Sequence, residues 1–327
     1  MSRLGIGTYL MATIALIAGA ATTDAATLRI KCGGHDGLTT IGAALRALQG
    51  SENHGPSTIN VSGNCNENVV IKDIDRLTIV GNDGASITDA SSGTRDVIAV
   101  DNSRVAIKGF TIMGNANTDA IDCYDGSHCT LIGNTIAGAY DGVGIYKTAT
   151  GAIVGGVLQN NAGNGLLVTG EAYADGVTVQ GNPVGVNVLN GGRVSFNAAD
   201  PVFDPLLADT PSVATGNGVG VNVGHGAQFT CDGCLVHDNA GDGIHADVSA
   251  AITIAPSFHY DGVVFQARVT NNSGHGVYVG DLASAVFNGL PTVSGNGQPD
   301  IACSSITAVT RRAIVVAGGA AHTNCSN

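Results

Sequence analysis

The pentapeptide Val184-Gly185-Val186-Asn187-Val188 returns unchanged as Val219-Gly220-Val221-Asn222-Val223. Related runs flank both copies. Before them stand Asp119-Ala120-Ile121-Asp122-Cys123, Asp141-Gly142-Val143-Gly144-Ile145 and Asn164-Gly165-Leu166-Leu167-Val168. After them stand Asp242-Gly243-Ile244-His245-Ala246, His275-Gly276-Val277-Tyr278-Val279 and Pro299-Asp300-Ile301-Ala302-Cys303. The first residues of successive runs are 22, 23, 20, 35, 23, 33 and 24 apart. A fixed period in this range marks a repeat architecture, and the two long steps mark insertions.

Each run alternates, so it reads as a strand. The third and fifth residues are apolar and are expected to point inward, the often polar fourth outward. Gly fills the second column in six of the eight runs, where the backbone needs positive φ or a close approach. Asn115, Asn161, Asn182, Asn217, Asn239, Asn272 and Asn296 precede most runs, and stacked amides can bond to their copies. Further strand-like pieces, such as 105–110, 129–132 and 227–231, lie between the runs. Two or three short strands per repeat leave no room for helices. The pattern predicts an all-β parallel solenoid. About ten coils at roughly 4.8 Å each give a rod on the order of 48 Å long.

One helix is expected. Thr39-Thr40 precedes a stretch in which Ile41, Ala44, Leu45 and Leu48 share one face, a fitting lid for an open first coil. The domain reading is a signal peptide at 1–26 and a solenoid domain at 27–327. Residues 27–58 form its N-terminal cap and 304–327 its C-terminal cap. Insertions at 197–212 and near 255–261 interrupt the rod, and long loops on a rigid scaffold often carry binding.

Composition agrees. The 327 residues include 48 Gly, only 4% aromatics, no Trp and 12% charged residues. Helical bundles and collagen are excluded, since Leu, Glu and Lys runs are few and no Gly-x-y period exists. The net charge is −12, with no basic stripe, so no nucleic acid partner is expected. Residues 1–26, with Arg3 and a short Ala-rich apolar run, predict a cleaved leader and a secreted or periplasmic protein without membrane attachment. Eight cysteines suit export. Neighbours along the chain pair naturally as Cys32–Cys65, Cys123–Cys129, Cys231–Cys234 and Cys303–Cys325. Cys231-x-x-Cys234, followed by His237 and His245, also reads as half a zinc site.

The stacked runs, with the helical opening at 40–45 and the strands at 59–63, 67–71 and 77–81, resemble the right-handed parallel β-helix (pectin lyase-like) family over about 59–303. The resemblance implies a right-handed, single-stranded β-helix with a short N-terminal cap helix. Asn117-Thr118-Asp119-Ala120-Ile121-Asp122 looks like the Asn-Thr-Asp-Gly motif of its polygalacturonase-type hydrolases. That likeness implies catalytic roles for Asp119, Asp122 and Asp141, although Gly142 replaces a second Asp. Likeness to pectate lyases instead implies that Asp119, Asp122 and Asp141, joined by Asp96, hold Ca²⁺, with Arg95, Lys108 or Lys147 nearby as base. No cofactor is required on the hydrolase reading; Ca²⁺ is the one suggested by the lyase reading.

The outward and turn positions predict a polar stripe along the rod. Beyond the acids it holds Asn164, Asn187, Asn222, Asp242, His245, His275 and Tyr278, with Tyr146 beside it. Such a stripe suits a sugar chain. The leading expectation is an exported protein whose partner is a polysaccharide, acidic or not. The alternatives are a polyuronide hydrolase or Ca²⁺-dependent lyase, and a non-catalytic structural rod.

Overall fold

The structure is a computed structural model, and it describes residues 25–50, 56–202, 208–304 and 314–317. Three parallel sheets run through the described residues, and each complete coil contributes one strand to each. Sheet I has 12 strands, from Ala26–Lys31 to Ile314–Ala317. Sheet II has 10, from Val69–Lys72 to Ile301–Cys303, and sheet III has 10, from Asn64–Asn66 to Thr292–Ser294. This is the expected right-handed parallel β-helix. The repeat builds it because no coil can hide its apolar face alone; each new coil buries the face of the last.

The inward columns form one continuous core. In the strand Ile121–Tyr124, Ile121 and Cys123 are fully buried, as are Val186 and Val188 in Val184–Val188. The Gly column answers to close approach rather than to positive φ. A Cβ on Gly142 would lie 2.6 Å from the Gly165 carbonyl oxygen, and one on Gly185 would lie 2.4 Å from that of Gly220. Neither has positive φ.

The asparagine column is buried and bonded to itself. The Asn161 amide donates to Asn182 (3.0 Å), Asn182 to Asn217 (3.1 Å), Asn217 to Asn239 (3.2 Å), Asn239 to Asn272 (2.8 Å) and Asn272 to Asn296 (2.9 Å). Asn115 stands outside the ladder: its carbonyl oxygen caps the Asn117 N–H within its own turn.

The cap helix spans Ile41–Gln49 and buries Ile41, Ala44, Leu45 and Leu48. Thr40 accepts from the Ala43 N–H, as expected of an N-cap. Glu67 adds a second cap from a distant coil, accepting from the N–H groups of Ile41 (2.6 Å) and Gly42 (3.0 Å). The strand Ala26–Lys31 precedes this helix and pairs with Ser57–Ser62, so sheet I starts one coil earlier than the repeat suggests.

Disulfides join Cys32–Cys65, Cys123–Cys129 and Cys231–Cys234, so the Cys-x-x-Cys pair is a staple rather than half a zinc site. Cys303 is disulfide-bonded, while its expected partner Cys325 lies outside the described residues. The expected leader lies outside them up to residue 24, and so does most of the C-terminal cap. Among the described residues, no helix is long and apolar enough to cross a membrane.

Candidate functional site

Strand register places the stripe. On the outer face of sheet II the fourth residues of the runs stack as Ala99, Asp122, Gly144, Leu167, Asn187, Asn222, His245, Tyr278 and Ala302. Gly144 and Leu167 break this column into an acidic end and an amide–imidazole end. Beside it, at or just before the start of each strand, Asp96, Asp119, Asp141 and Asn164 follow one another from coil to coil. The Asp119 N–H donates to Asp96 Oδ1 (3.2 Å), the Asp141 N–H to Asp119 Oδ1 (3.0 Å) and the Asn164 N–H to Asp141 Oδ1 (2.7 Å).

At the acidic end Asp96, Asp119 and Asp122 converge, each offering an oxygen within 4.8 Å of the others. Asp141 does not join that group; it holds Asn164 through both the backbone and the side-chain amide. Asp122 is 9% exposed, and its buried Oδ1 has no hydrogen-bond partner. Burial, then the charges of Asp119 and Asp96, push its carboxyl up to about 9, and its hydrogen bond to Asp119 adds to the effect. Burial among acids thus favours the neutral form of Asp122. Burial also raises Asp96 and Asp141.

The Tyr146 hydroxyl donates to Asp119 Oδ2 at 2.9 Å. Burial, followed by the charges of Asp122 and Asp119, raises the phenol, which stays a donor. Gly144 makes the room: a Cβ there would lie 2.5 Å from Asp122 Oδ1 and 2.6 Å from the Tyr146 ring. No Lys or Arg forms an ion pair with these acids among the described residues. Arg95 and Lys147 are exposed, and Lys108 lies on sheet I. The arrangement has two chemical outlets. A carboxyl pushed toward its neutral form beside other carboxyls can serve as a general acid. Three carboxylates within this span also fit a hard divalent cation such as Ca²⁺.

At the other end one carboxylate organises two imidazoles. His245 Nδ1 lies 2.8 Å from Asp242 Oδ2, and His275 Nδ1 lies 2.9 Å from Asp242 Oδ1. The His275 backbone N–H donates to that same Oδ1 at 2.8 Å. The Tyr278 ring stacks on His245, with centroids 4.6 Å apart, and tilts against His275 at 5.5 Å. Burial raises Asp242, but hydrogen bonds from His245 and His275 outweigh it and hold the carboxyl below its ordinary range. Between the two ends, the Asn222 amide donates to Asn187 at 2.8 Å.

Sequence reasoning undervalued Asp96 and missed the bridging role of Asp242. Asp96-Val97-Ile98-Ala99-Val100 lies 23 residues before the Asp119 run and is its predecessor in the stack. It lacks the Gly of the second column, although its step fits the period.

Fold and face together define a right-handed parallel β-helix protein with two polar centres on one sheet. No protein-family profile matches the chain, and no curated protein sequence does. Among solved structures, it is similar to the A-module of the mannuronan C-5 epimerase AlgE6 from Azotobacter vinelandii. That likeness has a TM-score of 0.51 and 16% identity, covering 80% of this chain and 74% of the module. A second match, ORF18 of Geobacillus virus E2, has a TM-score of 0.32 and 13% identity, covering 85% of this chain and 61% of that one.

Proposed function

We propose that the protein is exported and binds a polysaccharide along the outer face of sheet II. Asp122 and Asp119 then act on it as proton donor and acceptor. The observation that carries this reading is the Asp122 carboxyl, buried without a partner for Oδ1 and pressed against two other acids. A buried group of this kind costs about 1–3 kcal/mol, a strain that concentrates where chemistry is done. The fold shared with an epimerase module that bears the name of mannuronan, an acidic polysaccharide, supports a sugar chain as the partner. Three disulfides support export.

Ca²⁺ is the competing occupant of the same atoms. It would displace the Asp122 proton and bridge the acidic face to uronate groups, in the manner of a Ca²⁺-dependent lyase. Turnover of polyuronides with and without Ca²⁺ separates the two. Asp119→Asn and Asp122→Asn should each lower turnover by about 100-fold or more. Wild-type activity that needs Ca²⁺ selects the lyase reading. No product from any acidic glycan sinks catalysis and leaves binding, which a glycan array then tests. A flat response there leaves a structural rod.

A further inference from the structure

Tyr140 stands in the bend leading into the strand Val143–Ile145, one residue before Asp141. Its N–H donates to the Thr118 carbonyl of the preceding coil at 2.8 Å, which sets it one coil beyond Asp119. The side chain belongs to a residue that is 51% exposed. Neither its hydroxyl nor its ring has a hydrogen-bond or ring partner among the described residues. The other tyrosines bordering sheet II, Tyr124, Tyr146 and Tyr278, are half-buried. The fold leaves the Tyr140 ring unused.

Its neighbours are shaped around it. Gly163, on the next coil, leaves the ring room: a Cβ there would lie 3.2 Å from Tyr140 Cε1. Asn164 follows that glycine, and Asp141 Oδ1 fixes it twice. The Asn164 backbone N–H and its side-chain amide each donate to that oxygen at 2.7 Å. One amide N–H and Oδ1 are left over, on a residue that is half-buried rather than enclosed. The floor leading away from Asp122 is apolar, because Gly144 and Leu167 follow it on the next two strands.

These parts match the needs of a sugar ring. An aromatic face packs against the C–H face of a pyranose, and both surfaces leave water. An amide held in place can donate to one ring hydroxyl and accept from its neighbour. Tyr140, Asn164 and Leu167 carry no charge at neutral pH, so such a surface reads the pyranose itself and not a carboxylate on it.

We propose that Tyr140 and Asn164 form a subsite for one hexopyranose unit, with Tyr140 as its stacking platform. The proposal rests on the polysaccharide reading above and adds to it a binding residue outside the polar stripe. The strand of Asn164 lies two steps beyond that of Asp122, about 10 Å along the rod. A unit held here is the neighbour of the one over the acids, on the C-terminal side. Tyr140 thus sets which bond of the chain lies over Asp119 and Asp122, and takes no part in proton transfer.

Isothermal titration of the full chain with hexameric oligomannuronate, hexameric oligogalacturonate, cellohexaose and mannohexaose tests this. At least one hexamer should bind. Tyr140→Ala should weaken that binding by about tenfold. Tyr140→Phe and Tyr140→Trp should hold it within about twofold, since the ring face and not the hydroxyl is used. All three should melt as wild type does, because the position is exposed. Where a hexamer is turned over, Tyr140→Ala should raise KM by about tenfold and leave kcat within about twofold. Wild-type binding in Tyr140→Ala overturns the subsite and leaves the reading of the acidic centre standing. Equal losses in Tyr140→Ala and Tyr140→Phe overturn the stacking role. Binding weakened by Tyr140→Ala, with no turnover of any hexamer, supports the subsite and sinks catalysis instead. If wild type binds none of the four, the subsite and the polysaccharide reading fall together.

Discussion

Asp141 and Asp242 occupy the same corner of the coil, and the fold treats their charge in opposite ways. Each uses Oδ1 to accept the next coil's backbone N–H, at 2.7 Å from Asn164 and 2.8 Å from His275. Each also holds that residue's side chain, at 2.7 and 2.9 Å. Yet burial and the charge of Asp119 raise Asp141, whereas two imidazoles hold Asp242 low against its own burial. The solenoid supplies the geometry. The neighbouring side chains, His245 of the same coil and His275 of the next at Asp242, Asp119 of the preceding coil at Asp141, set the direction of the shift. The carboxyl at one scaffold position is thus raised at one end of the sheet and held low at the other.

The largest test removes the carboxyl that is held low. Asp242→Ala strips both imidazoles of their acceptor and should cost about 2–3 kcal/mol, read by denaturant unfolding at pH 7. A loss below 0.5 kcal/mol (an order-of-magnitude threshold) would mean that the two histidines do not depend on Asp242.

The opposite sign is expected at the acidic end. Asp122 has a folded pKa above its unfolded value of roughly 3.9, so the folded state binds more protons between about pH 4 and 9. Stability should fall as pH rises through that window. Asp122→Asn keeps a donor toward Asp119 without a titrating charge. It should match wild type near pH 3 and exceed it at pH 8, by about 1–3 kcal/mol. Equal melting curves at pH 8 would show that Asp122 carries no such penalty.

Exchanging the neighbours sharpens the contrast further. Asn164→His should lower the Asp141 carboxyl, and His275→Asn should raise Asp242, both followed by carboxyl ¹³C titration. If neither moves, the corner itself, and not its neighbour, sets the charge. The smallest effect belongs to Tyr146→Phe, which removes the donor to Asp119 Oδ2 for about 1 kcal/mol. An unchanged melting temperature would show that water replaces the hydroxyl at no cost.

Much of the fold was legible because a solenoid writes its contacts at short, regular separations. Ile121, Val143 and Leu166 recur at the repeat step and are the residues that stack. Thr40 and the apolar face of 41–48 encode the cap helix locally. The strand Ala26–Lys31 was not legible, because the helix interposed between it and its partner hides the period. The outward stripe was legible as composition but not as geometry. Its members belong to two columns, and only register shows that Gly144 and Leu167 divide it. The convergence of Asp96 with Asp119 and Asp122, and the bridging by Asp242, depend on side-chain directions between coils, which spacing does not record.

The asparagine ladder has a direction. Each amide passes a hydrogen toward the C-terminal end, and the last, from Asn296, is delivered to Asp300 at 2.8 Å. Aligned amides polarise one another, so the column acts as a wire grounded on an anion at one end. At its other end, Asn161 Oδ1 accepts from the Ala139 backbone. Coils can therefore be appended beyond Ala139 without disturbing the wire, whereas the C-terminal end is chemically closed.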